Sequence, residues 1–123
     1  MKSEITVAPP NSIIFVMDFK SGKLPKSFDG GLIATSPSSV VIGTYPEPDG
    51  KTTIILTDDP SKEIGPADML AFDGTIEVAG SDLSVVTAYD DILLSMPTKM
   101  ENVRLRVWVD HPECPSRIVI GAG

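Results

Sequence analysis

The stretch VRLRVWVDHPEC, residues 103–114, decides how the chain is read. It holds the only Trp, the only His and the only Cys of the 123 residues, with two of the three Arg. Apolar and polar residues alternate from Val103 to Val109. Successive side chains of a strand point to opposite faces, so Val103, Leu105, Val107 and Val109 share one side and Arg104, Arg106 and Trp108 the other. A strand with one aliphatic face belongs to an antiparallel sheet packed on that face alone. The next strand, Arg117–Ile120, is short, and the intervening DHPECP is a loop shaped by two prolines.

Working outward, eleven Pro and ten Gly cut the chain into pieces rich in Val, Ile and Thr, the pattern of many short strands joined by turns. The clearest further candidates are Ser12–Asp18, Ser39–Tyr45, Thr52–Asp58, Met69–Ala79 and Leu83–Ala88. Weaker ones are Glu4–Val7, Gly31–Thr35 and Ile92–Met96. PEPDGK at 46–51 joins two strong candidates through an Asp-Gly corner and reads as a hairpin. Gly80-Ser81-Asp82 reads the same way. Gly74 interrupts Met69–Ala79 and is expected in a bulge.

No window shows a sustained helical repeat. One helical turn fits within 57–70, with Asp59 as its cap, Pro60 at its first position and Glu63 nearby. A second fits Ala88–Ile92. Parallel sheets need long crossovers, usually helical, and none is visible. The expected fold is all-β: a two-layer antiparallel β-sandwich of about eight to ten short strands in a single domain, 1–123.

A chain this long buries enough surface to hold a core without disulfide or metal. One Cys cannot form an internal disulfide, the first residues lack the pattern of a signal peptide, and the longest apolar runs are far too short to span a bilayer. These features lead us to expect a cytoplasmic protein with no membrane segment. The net charge of −7 is uneven: residues 44–91 hold eleven acids and only Lys51 and Lys62. Such a surface repels phosphate backbones, so nucleic acid is not an expected partner, while a basic protein is.

The chemistry-bearing groups are few. His111 and Cys114 are three residues apart and suggest a nucleophile with its base. No third residue to orient the base is identifiable, and a free Cys more often serves as a small apolar group. One His and one Cys do not complete a zinc site. Asp58-Asp59 and Asp90-Asp91 are paired acids near strand ends. Sandwich loops of this kind can gather carboxylates around calcium, but no EF-hand spacing is present and Asp-rich loops commonly just solvate the surface. Neither a Gly-rich phosphate loop nor a nucleophile elbow occurs. We therefore expect no cofactor, no metal and no catalytic residue. Arg104, Arg106 and Trp108 carry the residue types enriched at binding hot spots. The competing reading has the arginines paired with acids on neighbouring strands and Trp108 covering the sheet edge.

The run AFDGTIEVAGSDLSVVTAYDDILLSMP, 71–97, followed by MENVRLRVWV, 100–109, is similar in its order of strands and turns to the competence protein J family, inhibitors of a DNA-entry nuclease, and to related bacterial immunity-type proteins. GGLIATSPSSVVIGTY, 30–45, sits where that family has a strand ending in an apolar stretch, and Phe28 stands nearest to the aromatic residue that precedes the family's first central strand. The resemblance implies a two-layer sandwich that binds a partner protein without catalysis.

The function expected from these features is a non-catalytic protein-binding module of inhibitor or immunity type that neutralises a basic partner such as a nuclease or toxin. Its partner-binding residues would be Arg104, Arg106, Trp108, Asp58, Asp59, Asp90 and Asp91. Two alternatives compete. One is a structural or assembly module, for example a homo-oligomer pairing through apolar strands such as Thr52–Thr57. The other is a small carboxylate-dependent hydrolase.

Overall fold

The computed structural model describes residues 1–25, 31–79 and 82–123. The described residues form ten strands: β1 (Lys2–Val7), β2 (Ile13–Met17), β3 (Ile33–Ser36), β4 (Ser39–Gly43), β5 (Thr52–Thr57), β6 (Met69–Glu77), β7 (Asp82–Val86), β8 (Ile92–Pro97), β9 (Asn102–Val109) and β10 (Arg117–Ala122). They make two five-stranded sheets, in the orders β1-β5-β10-β9-β6 and β3-β4-β2-β7-β8. The fold is an all-β sandwich of mostly antiparallel sheets.

Alternation places the core. On β9, Val103, Leu105, Val107 and Val109 are buried, and they pack with Ile54, Leu56, Ile118 and Ile120 of the same sheet. Ile14, Val16, Val40, Ile42, Leu83 and Val85 face them from the second sheet. Burying a Val, Leu or Ile side chain contributes about 1.5–3 kcal/mol, so this interleaved aliphatic layer is the main source of stability.

Three expectations about connectivity give way. The 46–51 turn joins β4 to β5, which lie in different sheets, so it crosses the sandwich and closes no hairpin. A two-residue hairpin turn of type I′ needs positive φ at both central residues, and neither Asp49 nor Gly50 has it. The link from β6 to β7 crosses between sheets in the same way; its Gly80 and Ser81 lie outside the described residues, as does Phe28. Thirdly, β5 and β10 pair in parallel, in register from Arg117↔Thr53 to Gly121↔Thr57. The connection between them runs through strands of both sheets, so the parallel pair needs no helical crossover.

Local chemistry accounts for the remaining differences. The irregularity of β6 falls between Leu70 and Phe72, not at Gly74, which pairs in register with Leu105. Gly74 is needed for space: a Cβ there would lie 2.7 Å from Cζ of the Phe72 ring. Thr52–Thr57 lies between β1 and β10 and is not an edge; the edges are β1, β6, β3 and β8. The expected helical turn is a 3-10 turn, Pro60–Lys62, but the Asp59 carboxylate does not cap it and accepts instead from the Ser61 hydroxyl at 2.8 Å. Residues 88–91 form a turn rather than a helix, and Ile92 opens β8: Thr87 Oγ1 accepts the N–H groups of Tyr89 and Asp91 at 3.2 Å each, and Asp90 has φ of 65°.

Candidate partner-binding surfaces

The outer face of the first sheet carries the β9 row. The Arg104 guanidinium makes a two-point pair with Asp73 on β6, Nε to Oδ1 at 3.1 Å and a terminal nitrogen to Oδ2 at 2.8 Å. That contact holds the Asp73 carboxyl below its ordinary range, and the Arg104 charge adds to the effect. Arg106 stands opposite Asp73 in register and takes no carboxylate; its guanidinium lies over the Trp108 ring, 5.3 Å from the centroid. The far edge of that ring packs on Gly121, where a Cβ would come within 3.2 Å of Cζ3 and 2.7 Å of Pro60 Cγ. Pro60 and the segment after it thus form a strap over the outer face. Arg117 fastens the strap by binding the Asp68 carboxylate and the Glu63 carbonyl. Of the competing reading, the Arg104–Asp73 pair is present, and Trp108 covers Gly121 rather than a sheet edge. Asp68, Asp73 and Arg117 were missed by sequence reasoning. The pairing of β6 with β9 that brings Asp73 to Arg104, and the path of the 58–68 segment that brings Asp68 to Arg117, have no local signal.

The acidic pairs are separated by the topology. Asp58 and Asp59 follow β5 at the end of the sandwich where β9 begins and β10 finishes. Asp58 accepts from the Met1 ammonium at 2.8 Å, and Asp59 lies 3.3 Å from the Lys62 amine. Both carboxyls are held below the ordinary range, Asp58 chiefly by the bond from the Met1 ammonium and Asp59 chiefly by the Ser61 hydroxyl and then Lys62. Asp90 and Asp91 lie at the opposite end, in the exposed turn between β7 and β8.

At that opposite end three loops converge. The 44–51 loop meets the 110–116 loop where the Tyr45 N–H donates to the Pro115 carbonyl at 2.8 Å. It also meets the start of β2, through the Glu47 N–H and Ser12 Oγ, 2.8 Å apart. The 87–91 turn is one strand further along the second sheet. Together these loops carry Glu47, Asp49, Asp90, Asp91, Asp110 and Glu113 against the single cation Lys51. Tyr89, 69% exposed, stands among the carboxylates. Asp110 and Glu113 escaped notice because their loop was read for its His and Cys.

That loop is built by hydrogen bonds. The Asp110 carboxylate accepts from the Ser116 N–H at 2.9 Å, the Ser116 hydroxyl at 2.8 Å and the Arg117 N–H at 3.1 Å. His111 Nδ1 accepts the N–H groups of Glu113 and Cys114, both at 3.1 Å, with Cys114 Sγ at 3.6 Å. A nitrogen that already receives two backbone donors is occupied in holding the loop. Among the described residues, no group of three or more His, Cys, Asp and Glu is placed to hold a metal ion. A cleft of 560 Å³ opens at the Asp58 end, lined by Met96, Pro97, Met100, Val103 and Ala122 with Lys99 at its rim. Its one carboxylate, Asp58, is engaged by the Met1 ammonium.

No family model matches the chain, and no curated protein matches it. Among solved structures, it is similar over 99% of its length to 93% of ComJ from Bacillus subtilis, described as an inhibitor of the DNA-degrading activity of NucA, with a TM-score of 0.62 and 12% sequence identity. The resemblance read from residues 71–109 is therefore carried by the whole sandwich, and what the chain shares with ComJ is its fold.

Proposed function

We propose that this chain is a non-catalytic, inhibitor-type protein that binds and neutralises a basic protein partner, such as a nuclease. The observation that carries the reading is the end of the sandwich where Glu47, Asp49, Asp90, Asp91 and Glu113 face solvent, beside the half-buried, loop-bonded Asp110, with only Lys51 among them. A nuclease must grip a phosphate array with basic side chains, and an array of carboxylates on firm loops competes for that grip. The sandwich fold shared with a nuclease inhibitor supports the same reading. Asp58 and Asp59 stand apart from this surface, at the other end and paired with cations. Arg104 is taken up by Asp73, so Arg106 and Trp108 are the members of the β9 row left to meet a partner.

The test is inhibition of DNA hydrolysis by NucA, followed as a function of salt. Inhibition at low ionic strength that weakens as salt rises supports the reading. If neither NucA nor another basic nuclease is bound at low salt, it fails.

A further inference from the structure

We infer that the outer face around Arg106, Trp108 and Leu70 is a second docking surface, for a protein segment that presents a carboxylate beside an apolar side chain. The inference rests on the reading of the chain as a protein-binding module but uses a different surface from the acidic end.

The three arginines are unequally engaged. Of the three arginines, Arg104 has Asp73, and Arg117 has Asp68 and the Glu63 carbonyl. Arg106 has no acceptor, although Asp73 lies opposite it, because both oxygens of that carboxylate are turned to Arg104. Its Nε is buried and unpaired. A buried donor without an acceptor costs about 1–3 kcal/mol, more where the group is charged. Arg106 acts on Asp73 through its charge alone, so its guanidinium keeps its hydrogen-bonding capacity for an anion from outside the chain.

The surroundings define the rest of the ligand. Trp108 lies beneath the guanidinium, and the planar fork of an arginine suits a two-point carboxylate contact better than a bare point charge does. Leu70 is paired with Trp108 across β6 and β9, shares its face and is 53% exposed. A Trp and an Arg flanked by an exposed aliphatic group have the composition of an interface hot spot. An extended acidic–apolar segment would place its carboxylate on Arg106 and its apolar side chain on Leu70 and the exposed part of Trp108.

Trp108 is the only tryptophan, so its fluorescence reports the site directly. The probes are a capped Leu-Glu-Leu tripeptide and its Leu-Gln-Leu analogue, titrated into the full chain at low salt. The expected result is a saturable change with the Glu peptide at concentrations on the order of millimolar, and binding weaker by about tenfold with the Gln peptide. Arg106→Gln removes the preference for Glu over Gln, Leu70→Ser weakens both peptides, and Lys99→Gln, a cation at the other end, changes neither. Equal response to the two peptides, or a preference that survives in Arg106→Gln, overturns the inference. No basic partner is present in this assay. Its failure leaves the nuclease reading standing, and failure against nucleases leaves the peptide result standing.

Discussion

Arg104 and Asp73 are joined by two hydrogen bonds across β9 and β6, and Arg106, which stands opposite that carboxylate in register, acts on it through its charge without a hydrogen bond. One pairing choice on the outer face thus settles which arginine is structural and which is left over. The Asp73 carboxyl should titrate below the ordinary aspartate value of 3.8, and in Arg104→Gln its midpoint should rise toward that value, as followed by carbon NMR. The sign of the linkage follows from the depressed folded-state value. The stabilisation is whole at neutral pH, declines as pH falls below the ordinary range, and is gone once the pH is under the folded value. Asp58 and Asp59 share this direction in both proteins, so the loss of stability in acid should be steeper in the wild type than in Arg104→Gln by the Asp73 contribution alone.

Gly121→Ala should destabilise the protein by about 1–3 kcal/mol, the range for overpacking a site that cannot yield. The added Cβ would meet Pro60 Cγ at 2.7 Å and Trp108 Cζ3 at 3.2 Å. Pro60→Ala removes the nearest of these atoms. In a double-mutant cycle the two changes should therefore be less than additive, and additive effects would show that the strap does not rest on Gly121. Urea denaturation gives the free energies.

Arg117→Gln should cost about 3 kcal/mol, at the low end for a broken buried pair. The Asp68 side chain is 3% exposed and would be left buried without its cationic partner, while Arg117 itself is 32% exposed. The loss is local in origin, because the Glu63 carbonyl loses its donor as well. Limited proteolysis should cut within residues 58–68 in the variant before the rest of the chain opens. A cut elsewhere first would mean that Arg117 does not fasten the strap.

Leu105→Ala and Arg104→Ala sit side by side on β9 and should differ sharply. Leu105 is fully buried, and truncation of such a core leucine costs about 2–5 kcal/mol. Arg104 is exposed on the other face, where a solvent-screened ion pair contributes far less than a buried leucine does. Similar losses at both positions, measured by thermal unfolding, would contradict the alternation on which the sandwich is built.

That alternation is why so much of the fold is legible. The period-two pattern and the Pro and Gly punctuation are local, and each of the ten strands has a counterpart among the segments read from sequence. Sheet membership is not local. β5 pairs with β1 and β10, far away along the chain, so the turn chemistry of 46–51 says that the chain bends there but not which strand it will pair with. The same limit applies to the candidate surfaces. Asp58-Asp59 and Asp90-Asp91 look alike as sequence and are both solvated. Only the crossing connections send one pair to each end and bring Asp110 and Glu113 alongside the second.

The separation of the acidic pairs gives the sharpest test of the proposed function. Charges more than about 8 Å from an encounter are largely screened at physiological salt, so a basic partner docking at one end feels the carboxylates there far more than those at the other. Neutralising Glu47, Asp49, Asp90 and Asp91 together should slow association with a basic nuclease by about tenfold at about 0.1 M salt, where charges are screened over about 10 Å, within the usual range of electrostatic steering, and should flatten the salt dependence. Asp58→Asn with Asp59→Asn removes two charges from the same sequence segment. It should change the association rate by less than about twofold, because those groups are remote and already paired with the Met1 ammonium and Lys62. Stopped-flow association rates over a salt series separate the cases. If the two sets slow association in simple proportion to the charges removed, net charge governs the encounter. The acidic end would then hold no special place in it.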